Sequence, residues 1–158
     1  MQARRVSPDD RSWIGDAVIG GFASTRLVSR GRVHEDATTL DGFVVENDGR
    51  PVGCALWHEV HGDAELAVIV TTYRGAGAGT ALLDAVVDYA RAHQWKRLWL
   101  ITTNDNTDAL RLYQRAGWDW VAWHRDGVTE ARHLKPELPE IGAHGIPIRH
   151  EIELEYPL

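Results

Sequence analysis

Six residues, Arg74-Gly75-Ala76-Gly77-Ala78-Gly79, combine the ingredients of an anion site. A run of strand type, Glu65 to Val70, leads into them. Beyond them Leu82, Leu83, Val86, Val87 and Ala90 recur at helical spacing. A helix start reached through a tight turn leaves its first amides without internal partners. The helix dipole adds roughly half a positive charge at the same place. Glycines at alternate positions let the backbone approach a ligand closely, and Arg74 brings a guanidinium beside them. The resulting cradle, Arg74 to Thr80, suits a pyrophosphate. Two common phosphate motifs do not fit. A dinucleotide fingerprint needs Gly-x-Gly-x-x-Gly and an acid further on, but Thr80 follows Gly79 and position 95 is Trp95. A P-loop needs Lys and then Ser or Thr after its last glycine, where this chain has Thr80-Ala81.

The elements that must position this turn can be read from patterning. Ser7-Pro8-Asp9-Asp10 opens a helix over Trp13 to Phe22, with early acids favouring its dipole. Ala23 to Thr39 is polar and poorly periodic, which predicts a short helix plus loop. Gly42 to Glu46 and Val52 to His58 read as strands joined by Asn47-Asp48-Gly49-Arg50-Pro51, hence a hairpin. The helix after the glycine turn ends near His93, and Leu98 to Thr103 has the continuous apolar and β-branched character of a strand buried on both faces. Asn106 caps a further helix whose stripe is Ala109, Leu112, Tyr113 and Ala116, closed by Gly117. Trp118 to His124 is a strand, and Ala131 to Lys135 makes one or two helical turns stopped by Pro136. Ile152, Leu154 and Tyr156 alternate with Glu151, Glu153 and Glu155, which predicts a strand with one wet face near a sheet edge. The order predicts a layered α/β domain spanning residues 1–158.

Two motifs in register carry a family resemblance. Arg74-x-x-Gly77-x-Gly79 resembles the (Gln/Arg)-x-x-Gly-x-(Gly/Ala) motif of the GNAT superfamily of N-acetyltransferases. Asn106-x-x-Ala109-x-x-Leu112-Tyr113-x-x-x-Gly117-Trp118 is similar to the family's closing motif. Together they span roughly Glu65 to His124, while the first half is similar only in its pattern of elements. The resemblance implies an α/β fold with a mixed, mostly antiparallel sheet flanked by helices and splayed central parallel strands, here Glu65–Val70 and Leu98–Thr103. It implies acetyl-coenzyme A as co-substrate. Backbone at Val68, Ile69 and Val70 would hold the pantetheine arm; Arg74, Gly75, Ala76, Gly77, Ala78, Gly79 and Thr80 the pyrophosphate; Asn106 and Ala109 the far side. The implied reaction is acetyl transfer to a primary amine by direct attack in a ternary complex, most simply with a small-molecule amine.

That chemistry needs an amine freed of its proton, a donor for the oxyanion and a proton donor for the departing thiolate. Tyr113 occupies the family's tyrosine position and is the candidate acid; taken alone, a Tyr on an apolar stripe reads as core. Glu65 is the candidate base, acting through water. It is the acid within an apolar run, where alternation would set it beside Ala67 and Ile69, although a solvated carboxylate at a strand start is an equal reading and Asp63 just precedes it. Two alternatives remain: a coenzyme A-binding regulatory module without chemistry, and an acyltransferase acting on a peptide or protein amine.

Other residues carry less. His58 and His61 lie three apart on a strand running into a turn, so they point apart and no metal site is expected. Cys54 reads as a small buried hydrophobe. Trp118, Trp120 and Trp123 crowd one strand, and surplus tryptophan with a wet-faced terminal strand is compatible with a homodimer. The stretch from Lys135 through Pro147 is longer than a usual connection and is expected to shape the acceptor pocket.

Composition bounds the rest. The 158 residues are 44% apolar and 25% charged, with 23 acids against 17 bases and a formal charge of -6. That balance disfavours a nucleic-acid surface, which rests on clustered Lys and Arg. No apolar run approaches the roughly 18 residues that cross a bilayer, and Met1 to Val6 leads into no signal-type apolar stretch. One cysteine excludes an internal disulfide. The expectation is a cytoplasmic protein without membrane or nucleic-acid partners.

Overall fold

A computed structural model describes all 158 residues, Met1–Leu158. Seven strands form one sheet in the order β1-β4-β5-β6-β7-β9-β8: β1 Ala3–Arg5, β4 Asp41–Asn47, β5 Arg50–Val60, β6 Asp63–Thr71, β7 Arg97–Thr103, β9 Glu151–Tyr156 and β8 Asp119–His124. All neighbours are antiparallel except β6 and β7. The helices are α1 Arg11–Phe22, α2 Ala78–Ala92, α3 Thr107–Arg115 and α4 Gly127–Ala131, and a small separate hairpin joins β2 Leu27–Ser29 to β3 Arg32–His34.

Two apolar clusters bind helices to opposite faces of the sheet. On one face Leu82, Leu83, Val86, Val87 and Ala90 of α2 pack with Leu66, Leu98, Leu100, Ile152 and Leu154, and α3 joins through Leu110 and Tyr113. On the other, Ile14 and Val18 of α1 meet Val44, Cys54, Leu56 and Val68. The α2 stripe is the one its periodicity predicts, and the β4–β5 turn carries Asp48 and Gly49 at φ 50° and 72°, as Asn-Asp-Gly chemistry demands.

Several expectations are corrected. Residues 23–39 form the β2–β3 hairpin and a single 3₁₀ turn over Ala37–Thr39, since three-residue strands have no room to show a period. The short helix foreseen at Ala131–Lys135 lies upstream, at Gly127–Ala131. The last strand, β9, lies one place in from the edge, between β7 and β8, as expected, but its Glu151 does not face water: it is 3% exposed, with Arg30 of the β2–β3 hairpin bonded to it. The edge strand on that side is β8, where Trp120, Val121 and Trp123 are exposed, while Trp118 precedes the strand and is buried. No helix is long and apolar enough to cross a membrane.

Candidate active site

The parallel pair is a ladder for only three residues. Asp63, Ala64 and Glu65 register with Arg97, Leu98 and Trp99; beyond them β6 and β7 continue without pairing. The facing edges over 66–71 and 100–103 therefore present backbone groups to an open slot, and buried backbone groups require partners. A bulge helps to shape it. Leu56 pairs with Val68 and Trp57 with Leu66, so Ala67 is the extra residue. Strict alternation from Glu65 through Ala67 to Ile69 accordingly fails. Ile69 packs on the α2 side, whereas Val68 and Val70 join the α1 side.

At the end of β6 the chain turns into α2. Gly75 and Gly77 have φ 83° and 79°, and a Cβ built on either meets nothing within 4 Å, so both are turn glycines with free space above. The amides of Gly75, Ala76 and Gly77 have no backbone acceptor, and the first bond of the helix is Ala81 N–H to the Gly77 carbonyl at 2.9 Å. With the first-turn donors of Ala78, Gly79 and Thr80, a row of free N–H groups stands at the helix head. Arg74 is exposed, 3.5 Å from Asp108. Gly79 has a second cause: a Cβ there would lie 3.0 Å from Leu112 Cδ2, so it permits α2 and α3 to pack. A cleft of about 430 Å³ beside it is lined by Thr80, Asp108, Arg111, Leu112, Arg115 and Ala116.

The slot opens on a cavity of about 560 Å³ whose lining includes Glu65, Ile69, Val70, Asn106 and Tyr113. Val68 and Ala109 do not line it; the first is a core residue and the second packs against the α2 cluster. Asn106 heads α3, and its amide donates to Thr102 Oγ1 at 3.2 Å. Tyr113 is 5% exposed, and burial alone pushes its phenol above the ordinary range, so it stays protonated. Glu65 is 3% exposed, with His34 Nε2 at 3.4 Å and Arg32 Nη2 at 3.9 Å. Asp63 is separate from it, accepting from Trp99 Nε1 at 2.7 Å.

Among the other cavity groups, Lys135 opens the stretch expected to shape the acceptor pocket, whereas Ser29, Asp105 and Glu151 had no signal in the sequence. Ser29 is buried and its hydroxyl lacks a partner. Asp105 accepts from Thr103 Oγ1 and from the Ala143 amide at 2.9 Å. Glu151 accepts from the Arg30 backbone and guanidinium at 3.1 and 2.9 Å. Lys135 is 2% exposed and donates to the Phe22 carbonyl at 2.5 Å. These side chains come from the β2 segment, the β7–α3 turn, the 125–150 stretch and the start of β9. Only long-range packing brings them together. The long stretch lines the cavity through Val128, Ala131, Lys135, Leu138, Gly142 and Ile148. Arg132 ties it into one piece by donating to the carbonyls of Leu138, Pro139 and Ile148.

No group of three or more His, Cys, Asp or Glu side chains gathers as a metal site. Cys54 is wholly buried, and desolvation pushes its thiol up to about 12, which leaves it inert.

The model of the acetyltransferase (GNAT) family matches residues 16–118, which include the slot, the glycine turn and the second motif. The chain belongs to the GNAT acetyltransferase family. The uncharacterized protein YdhI of Bacillus subtilis (strain 168) is 40% identical over 114 residues, 72% of this chain and 71% of that one. Among solved structures, this GNAT chain is similar in fold to an IAA acetyltransferase from Bacillus cereus ATCC 14579. The TM-score is 0.70 at 20% identity, covering 99% and 98% of the two chains. A GNAT family acetyltransferase from Elizabethkingia anophelis with acetyl-CoA bound gives 0.68 at 20% identity, covering 99% and 97%. The mixed sheet with one parallel pair is thus the GNAT fold.

Proposed function

We propose that this GNAT chain transfers an acetyl group from acetyl-coenzyme A to a primary amine by direct attack in a ternary complex. The observation that carries the reading is the break in the β6–β7 ladder after Glu65, which leads directly to the free amides of Gly75, Ala76 and Gly77. An extended arm fits the gap as a strand would, and a diphosphate fits the donors at the α2 head. In this assignment backbone of Val68, Ile69 and Val70 holds the pantetheine arm, Arg74 to Thr80 hold the pyrophosphate, and Asn106 and Ala109 belong to the wall formed by α3.

Acetyl-coenzyme A supplies the thioester on which the amine acts. A β6 backbone N–H within the slot donates to the oxyanion. Tyr113 keeps its proton, because burial raises its pKa, offers it to the sulfur as the carbon–sulfur bond breaks, and regains one from the acceptor nitrogen as the amide forms. Glu65 stands in the same cavity and accepts the ammonium proton, directly or through water, with His34 holding the carboxylate in place. One amide and one thiol form, and one proton passes to solvent.

Steady-state thiol release with acetyl-coenzyme A and a panel of small amines tests this. Turnover with at least one amine is expected. Coenzyme A binding without turnover on any small or peptide amine would instead describe a regulatory module.

A further inference from the structure

The buried charges around the large cavity are not equally answered. Glu65 has His34 and Arg32; Glu151 has both the backbone and guanidinium of Arg30; Asp105 has a hydroxyl and an amide. Lys135 has a single hydrogen bond, to the Phe22 carbonyl, and its side chain forms no ion pair. An ammonium carries three N–H donors, so two remain to be met in a residue that is 2% exposed. Capping the last turn of α1 accounts for one donor and for a favourable dipole contact. It does not account for placing a full charge at the wall of a cavity, where a buried cation demands a partner of opposite sign. Burial depresses the Lys135 pKa; Glu137 opposes the shift from a distance and Arg26 adds to it, so no carboxylate in contact offsets the charge.

Position gives this charge a use. The end of α1 lies against β6: a Cβ on Gly21 would be 3.3 Å from the Val70 side chain, and Gly21, Phe22, Val70, Glu65, Tyr113 and Lys135 line the same cavity. An amine held near Tyr113 and Glu65 therefore has an ammonium donor within the same enclosure.

We propose that Lys135 binds a carboxylate on the acceptor, so that the substrate is an amino acid or another amine bearing a carboxylate. This deepens, and rests on, the acetyl-transfer reading. The acceptor nitrogen bonds to the acetyl carbon as the carbon–sulfur bond breaks, the carboxylate stays on Lys135 throughout, and the products are an N-acetylated acid, free thiol and one proton.

Paired acceptors test it: glycine, alanine and phenylalanine against their amides, in the thiol-release assay with the full chain. Wild type is expected to favour the acids at least about tenfold in kcat/KM, mainly through KM, since a missing charged partner is discriminated strongly. In Lys135→Met the acid-to-amide ratio should collapse towards one, and Lys135→Arg should restore most of it. Amides used as well as acids by wild type, or a preference that survives Lys135→Met, would overturn the proposal. So would a loss of coenzyme A affinity in Lys135→Met by calorimetry, which would assign the ammonium to the cofactor. If nothing turns over, the catalytic reading fails by itself, and titrating N-acetylglycine and N-acetylphenylalanine into the coenzyme A complex still reads the subsite. Binding that Lys135→Met abolishes supports the carboxylate assignment, and no binding, or binding indifferent to Lys135, ends it.

Discussion

Tyr113 shows how one side chain serves both packing and chemistry. Its ring belongs to the α2 cluster and lies 6.2 Å from the Trp118 ring, while the residue also lines the cavity. Tyr113→Phe removes only the hydroxyl, so the core should be kept. Turnover should fall about 10²-fold, the scale of a general acid, while coenzyme A affinity measured by calorimetry changes little; an unchanged kcat would remove Tyr113 from the mechanism. Asp10 is a residue of the other kind, acting on stability alone. It is buried, it accepts from Arg4 at 2.8 and 2.9 Å and from the Ser7 amide at 2.8 Å, and its pKa is held well below the carboxylate range, chiefly by Arg4. A folded pKa below the unfolded one stabilises above about pH 4 and loses that contribution as pH falls through the acid range. Asp10→Asn should therefore cost about 1–2 kcal/mol near neutral pH, allowing for screening of the partly exposed Arg4. Urea titrations should show the gap to wild type narrowing in acid.

At the scale of elements, local chemistry was legible and partnership was not. The α2 stripe and the β4–β5 turn follow from periodicity and from Asp48-Gly49, which act within a few residues; Asn106 heads α3 as expected, but its side chain turns to Thr102 and does not cap the helix amides. The burial of Glu151 does not follow in that way, because an alternating Glu strand looks the same with its face in water and under a covering hairpin. Arg30 on the hairpin is what takes Glu151 out of water. The Glu65–Ile69 alternation failed for a similar reason, since the Ala67 bulge exists only relative to β5. The glycine turn is the element whose geometry tests its own sequence reading. Gly77→Val puts a β-branched side chain at φ 79° and into the open space above the turn. Strain at such a φ costs roughly 1–2 kcal/mol, so melting temperature should fall modestly. Coenzyme A affinity should fall about tenfold or more by calorimetry, and retention of full affinity would mean that this space is not used.

Across the whole molecule the cavity is assembled from segments far apart in sequence, which is why its walls could not be listed from motifs. The turn was read from its own residues, Glu65 as the acid within an apolar run, and Tyr113 from the family resemblance. Ser29, Asp105, Lys135 and Glu151 reach the same enclosure through the β2 segment, the β7–α3 turn, the 125–150 stretch and β9. That stretch is anchored on one side by Lys135 to Phe22 and by Arg26 to the Leu134 carbonyl at 2.6 Å. On the other it is held by Asp105 to Ala143 and Asn104 to the Pro147 carbonyl. It thus spans from the end of α1 to the end of β7. Arg132→Ala frees three carbonyls inside it and should raise the acceptor KM several-fold while sparing coenzyme A affinity; equal effects on both would assign the stretch to the cofactor side.

Amide hydrogen exchange with and without coenzyme A reads the slot and the glycine turn together. Binding should slow exchange at Gly75 to Thr80, and along the unpaired edge of β6 from Leu66 to Val70. Saturating coenzyme A that leaves both stretches exchanging as before would contradict the cofactor assignment.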